Sequence, residues 1–411
     1  MVETRFEQAG SVLDSESEVR RSYLVFPAWS QPLWTWLTGK PLQHEAPRRR
    51  LRPATSLALT VLGLVLLAVT QYLLLTADAL AWQMLGGLLV VPASLVMAGL
   101  WRCIQVVYGH HAIHGTLLAG SEDANRRMAR LLTLFSLSQS EAEYERDHLD
   151  HHRRAVFTTL GDADANLLYR CGLRPGERES VLRRRLWMTL FSPRFHAWFL
   201  LVRLRSNLRR PPAWRGLALL WLALVFIGAP LAFGWLPALL VLWLPLVPVY
   251  QMSALLQFST EHVWLQSAKG PPCMFSYADR CHGRFCGEAT PSRDGERAGL
   301  LAWARWWLRT VFFHLPTRLC VLVGDLPAHD WHHLCGILRQ DPATWPSAIY
   351  ERQRAIDSGH GAGMQGRELW GLDVMVAHVL RSLALAAALP DEPAPRPQPD
   401  PARWRPSPQE R

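Results

Sequence analysis

Apolar residues in this chain gather in two dense blocks, roughly residues 54–108 and 217–258, and the stretches around them are rich in arginine. From Ala54 to Thr76 there is no charged residue, and that run is long enough to cross a hydrocarbon core of about 30 Å. Ala77 and Asp78 make a short turn, and Ala79 to Tyr108 is again apolar except for Arg102 near its end. As one helix the second run spans about 45 Å at about 1.5 Å per residue. That exceeds what the core needs, so its continuation, carrying His110 and His114, projects from the lipid. The second block is broken by Pro230, Gly234, Pro237, Pro245 and Pro248. It predicts two helices joined by a tight turn near Gly234 and Trp235, since prolines are tolerated in spans whose neighbours re-satisfy the freed carbonyls.

The pattern predicts an all-α membrane protein, with four transmembrane helices in two hairpins and a helical cap that carries the histidine clusters. Arginines flank the same end of both hairpins, and the excess of positive charge assigns that end, with the cap, to the cytoplasm. The expected segments are an N-terminal arm (1–53), hairpin 1 (54–108), a cytoplasmic segment (109–214), hairpin 2 (215–258), a second cytoplasmic segment (259–389) and a proline-rich disordered tail (390–411). Trp29, Trp34 and Trp36 suit the membrane interface. The apolar run Leu131–Leu137 and the tryptophan- and arginine-rich segment Arg297–Val323 are candidates to lie along it.

Composition adds two constraints. The net charge is +10, carried almost wholly by arginine, since Lys40 and Lys269 are the only lysines. Basic runs such as Arg48-Arg49-Arg50 and Arg183-Arg184-Arg185 come without any nucleic-acid-reading element, so they point to anionic headgroups rather than nucleic acid. The seven cysteines are scattered and odd in number, which fits a reducing compartment and no disulfide framework.

The histidines carry the chemistry. Of sixteen in the chain, nine fall in three tight clusters: His110-His111-Ala-Ile-His114, His148-Leu-Asp-His151-His152 and His329-Asp-Trp-His332-His333. The last two share the spacing His-x-x-His-His, which on a helix puts three imidazoles on one face. Crowded imidazoles oppose one another's protonation, whereas neutral imidazole is a preferred ligand of several transition metals. So many ligands exceed what one ion takes and suit two ions with four or five each. His262, just after the fourth span, lies level with the clusters and joins the candidate set. Either His110 or His111 could pair with His114. Asp162 and Asp164 are candidates to orient ligating histidines from behind, and His44, His196, His282, His314, His360 and His378 have no partners at ligand spacing. Cys281-His282 with Cys273 and Cys286 fits no zinc pattern.

Clusters after the second span, before the third and beyond the fourth, with a further histidine after the fourth, resemble the integral-membrane fatty acid desaturase and hydroxylase superfamily. The resemblance covers roughly residues 54–333. It implies a site of two iron ions held by His110, His114, His148, His151, His152, His262, His329, His332 and His333, with O2 as co-substrate. It also implies an acyl-chain or other lipid substrate and an external electron donor, a ferredoxin or b-type cytochrome with its reductase. No flavin or haem fingerprint lies in the chain itself. Exposed arginines at 183–185 and 203–210 suit an acidic donor. The implied reaction is desaturation of an acyl chain, with hydroxylation or ketolation of a lipid, alkane or carotenoid as the alternative. No catalytic residue beyond the metal ligands can be named. Some acyl-CoA desaturases have an asparagine four residues before the extra histidine, where this chain has Phe258. A membrane b-type cytochrome would place its histidines within or near the spans, and a metal transporter would need ionisable groups in the core. Neither pattern is present.

Overall fold

A computed structural model describes residues 18–47, 51–265, 276–291, 299–336, 347–361 and 363–386. The arginine run at 48–50, Cys273 and the proline-rich tail lie outside the described residues.

After a short helix α1 (Gln31–Thr38), four helices are long and apolar enough to cross a membrane. They are α2 (Pro53–Leu75), α3 (Leu80–Ile113), α9 (Pro212–Phe233) and α10 (Trp235–Glu261), paired in sequence as two hairpins. Gly234, at φ 89°, takes the left-handed conformation that lets the second hairpin reverse within one residue. Wide π-type turns at Leu224–Gly228, Ala238–Trp243 and Pro245–Val249 absorb the proline-rich stretches of α9 and α10 without ending either helix. The outward faces of the hairpins expose Leu62, Leu66, Leu73, Leu88, Ile227 and Leu231. In water such a surface would be strongly unfavourable; in lipid it is the expected one. The chain is a multi-pass membrane protein.

Between the hairpins run α4 (Glu122–Phe135), α5 (Glu141–His151), α6 (Ala163–Arg170), α7 (Glu179–Leu190) and α8 (Pro193–Leu208). The α4 start is fixed by Ser121, whose Oγ accepts from Ala124 N at 3.1 Å. Its apolar side faces inward. Leu132 and Leu134 are buried, as is Leu137 just beyond, while Phe135 in the same run stays exposed. The main core joins Met97, Trp101, Ile104 and Tyr108 of α3 to Leu246, Tyr250 and Ala254 of α10.

After α10, β1 (Gly283–Phe285) pairs in parallel with β2 (Glu368–Trp370), the one small sheet among the described residues. Helix α11 (Leu300–Val321) bends by 79° into α12 (Leu326–Leu334). Helix α11 exposes Leu300, Leu301, Leu308 and Phe312, the apolar face expected of an interfacial helix. Its end touches α3 so closely that a Cβ on Gly99 would sit 1.8 Å from Leu319 O. Two helices, α13 (Ala348–Asp357) and α14 (Leu372–Leu385), complete the cap.

Two expectations need correction. Trp34 is buried among Tyr23, Phe26 and Trp306 rather than at an interface; Trp29 and Trp36 remain exposed. Arg203 and Arg210 are also buried: Arg203 donates to the Leu137 and Ser136 carbonyls at 2.7 and 2.6 Å, and Arg210 bonds Asn207 and Thr133. They hold α8 against the α4–α5 junction and are unavailable to a docking protein.

Candidate metal centre

Helix α3 does not stop at Tyr108, where its apolar run ends. A wide turn at Cys103–Gly109 carries it on to Ile113, and His110 and His114 emerge from its last turns. Helix α5 ends in His148 and His151, with His152 directly after it. Helix α12 begins just before His329 and carries His332 and His333. His262 follows α10 in extended conformation. These elements meet at one end of the two hairpins.

The nine histidines singled out from the sequence gather there in two groups: His110, His114, His148, His152 and His332, and separately His151, His262, His329 and His333. Within each group the ligand atoms lie within 4.8 Å of one another. In the first, His148 Nε2 is 2.9 Å from His110 Nε2, 2.8 Å from His114 Nε2 and 3.0 Å from His152 Nε2, while His332 Nε2 is 3.1 Å from His110 Nε2. In the second, His333 Nε2 is 3.3 Å from His151 Nε2 and 3.1 Å from His329 Nε2. The His-x-x-His-His motif is thus divided: on α5, His148 and His152 serve one group and His151 the other. On α12, His332 goes one way and His329 and His333 the other. Adjacent histidines point about a third of a turn apart, so one helix end reaches both groups.

Such convergence does not satisfy itself. A neutral imidazole offers one donor and one acceptor, so five Nε2 atoms around one point cannot all be paired by each other's protons. In the second group His262 donates from Nδ1 to Arg280 O at 3.2 Å, and its buried Nε2 has no hydrogen-bond partner. Both groups therefore present converging nitrogen lone pairs, a donor set that fits a cation. Burial and neighbouring imidazoles hold His148, His152 and His262 well below the usual histidine range, and His114 down to about 3. They are neutral at pH 7, the form that ligates.

His151 is the exception, and its cause is visible. Burial lowers its pKa, but Asp162, together with Asp164 and Glu261, outweighs burial and raises it to about 9. Asp162 Oδ2 accepts from His151 Nδ1 at 2.8 Å and from Thr158 N at 2.9 Å, while Oδ1 caps α6 by accepting from Asp164 N at 3.0 Å. One buried carboxylate so starts a helix and fixes the tautomer that turns His151 Nε2 inward. Asp164 lies further off, at 3.9 Å. Tyr277 Oη, 3.1 Å from His333 Nδ1, plays a similar part. His111 turns away: its Nε2 meets Asp325 Oδ2 at 2.8 Å, which leaves His110 as the partner of His114.

A family model for fatty acid desaturases matches residues 85–318, more than half of the 411-residue chain. The chain belongs to the fatty acid desaturase family. No curated protein and no solved structure matches it. The family match includes the first two clusters and His262 but ends before His329; the fold itself brings the third cluster to the other two.

Several supports of this desaturase-family site were not foreseen from sequence. Glu261 Oε1 stands 3.1 Å from His329 Nε2, 3.6 Å from Arg284 Nη2 and accepts from Gln257 Nε2 at 3.1 Å. Its signal was the placement of Gln257 and Glu261 one helical turn apart at the end of an apolar span, where polar groups mark function. Asp330, inside the third cluster, is paired through both oxygens with buried Arg352, which also reaches Glu368 at 2.7 Å. The cysteines Cys281 and Cys286 are buried and free, and neither belongs to a metal-ligating group among the described residues.

Proposed function

We propose that this protein is an O2-dependent membrane oxidoreductase that introduces a double bond into a fatty acyl chain, using two iron ions held by the five- and four-histidine groups. The observation that supports it is the paired convergence of nine imidazoles, seven of them buried and those of His114 and His152 half-buried, beside a cavity between α3 and α10. Bound iron would supply the activation of dioxygen that attack on an unactivated C–H bond requires.

The chain's own residues do the rest. His110, His114, His148, His152 and His332 would hold one ion, and His151, His262, His329 and His333 the other. Asp162 and Tyr277 orient ligands from behind. The cavity, walled by Trp198, Phe199, Val202, Ala254 and Phe258, holds the chain in register and keeps water out. Electrons come from an external ferredoxin or b-type cytochrome. Exposed Arg183 and Arg184 on α7, together with Arg205 on α8 and Arg209 just after it, offer such a carrier a basic surface. The arginine-flanked end, with the whole metal centre, faces the cytoplasm.

Reconstitution with a reduced carrier under 18O2 tests this reading. A product with a new double bond and no 18O is the expected result. An 18O-bearing alcohol would move the protein to the hydroxylases, and no lipid oxidation by protein that holds two irons would reject the reading.

A further inference from the structure

The cavity that reaches both histidine groups has a volume of about 230 Å³, below the range of about 300–1,000 Å³ usual for small-molecule sites. Its lining includes His110, His148 and His329 and also Arg102, Arg203 and Tyr250. The last three are not the surface a hydrocarbon tail would select. Arg102 is fully buried. Its Nη2 donates to Gln257 Oε1, while Nε and Nη1 have no hydrogen-bond partner. Its guanidinium lies 5.7 Å from the Tyr250 ring centre, and Arg203 lies 4.3 Å from the same ring.

Arginine does not shed its proton, and a buried charge with no counter-ion is strongly unfavourable. Among the described residues no carboxylate forms an ion pair with Arg102. Glu261, reached through Gln257, already faces His329 and Arg284. Asp147 and Asp164 also line the cavity, but Asp147 is engaged by Arg146 and Gln139, and Asp164 lies towards His151. Arg203, by contrast, has carbonyl partners. Among the described residues that line the cavity, the side-chain donors without a partner are those of Arg102, eight residues before His110 on the same helix.

We propose that Arg102 binds the free carboxylate of the substrate, so that the cavity takes a short unesterified fatty acid rather than an alkane, an ester or an acyl thioester. A carboxylate supplies both the missing charge and acceptors for Nε and Nη1. The carbon oxidised is then set by its distance from the carboxyl end, because Arg102 and His110 are fixed on one helix. This inference rests on the reading of the cavity as the oxidation site.

The test is equilibrium binding of radiolabelled octanoate, methyl octanoate and octanol to the iron-loaded protein in neutral-lipid nanodiscs, under anaerobic conditions, corrected with empty discs. Octanoate is expected to bind at least about tenfold more tightly than either neutral probe. In Arg102→Leu it should fall to their level while their own binding stays unchanged. Equal binding of the three probes to the wild type, or equal loss of all three in Arg102→Leu, overturns the proposal. The wild-type comparison decides even where the variant fails to fold. Iron counted in the same samples separates the two readings: acid preference without two irons supports Arg102 and rejects the oxidase, and two irons without acid preference rejects Arg102 alone.

Discussion

Asp162 Oδ2 lies 2.8 Å from His151 Nδ1, and the same carboxylate caps helix α6 and ties down Thr158. A group this buried and this fully bonded sets the direction of His151 more firmly than the α5 backbone alone. Asp162→Asn keeps the shape but loses the charge and one acceptor. The expected outcome is a metal affinity about 10–100-fold lower at the four-histidine group, read as roughly one retained iron per chain after mild chelation. Full retention would show that His151 needs no such orientation.

His110 and His111 are neighbours with different fates. His110 points into the five-histidine group and His111 to Asp325. His110→Ala is expected to lose an ion and all turnover. His111→Ala is expected to keep both ions and to lower the melting temperature, because Asp325 then loses its partner. Metal analysis and thermal denaturation of the two proteins check this, and the reverse pattern would exchange the two roles.

The buried pair Asp330–Arg352 fixes the third histidine cluster to α13 and β2. Breaking it from one side leaves a charge unpaired in the interior, a loss of about 3–5 kcal/mol. Asp330→Asn should therefore unfold at markedly lower temperature or denaturant and release iron from both groups, since α12 serves both. Unchanged stability by calorimetry would contradict the role given to this pair.

Away from the metal centre, His378 packs against His282, with ring centres 5.2 Å apart. Burial, with Arg381 nearby, lowers the His378 pKa to about 4, and burial with His378 lowers that of His282 well below its usual value. The unfolded chain then binds more protons than the folded one between about pH 6.5 and about pH 4. Stability from this pair is fully present above about pH 6.5 and is lost as the pH falls through that window. His378→Gln should flatten the acid fall in melting temperature, and an identical profile would remove the pair as its source.

Much of this was readable in the chain. The spans follow from uninterrupted apolar runs, and the turn at Gly234 from a glycine between prolines. Eight of the nine histidines follow from their clustering, six of them at a spacing that puts three imidazoles on one helix face, and His262 follows from its place just after the fourth span. What was hidden depends on contacts distant in sequence. Asp330 and Arg352 sit 22 positions apart, and nothing local marks either as the other's partner. Arg203 and Arg210 read as a basic surface because charge alone does not reveal that Arg203 turns onto the Ser136 and Leu137 carbonyls and Arg210 onto Asn207 and Thr133. Trp34 read as interfacial because an aromatic side chain suits a protein core as well as a membrane boundary. Arg102 was visible as a lone charge in an apolar run, but its position in the wall of a cavity needed the packing of α3 against α10.

The most direct test of the central claim is iron quantification with Mössbauer spectroscopy on 57Fe-enriched protein purified in detergent. Close to two irons per chain, magnetically coupled, is the predicted result. Zinc alone, haem, or a chain that holds no metal after anaerobic preparation would contradict it.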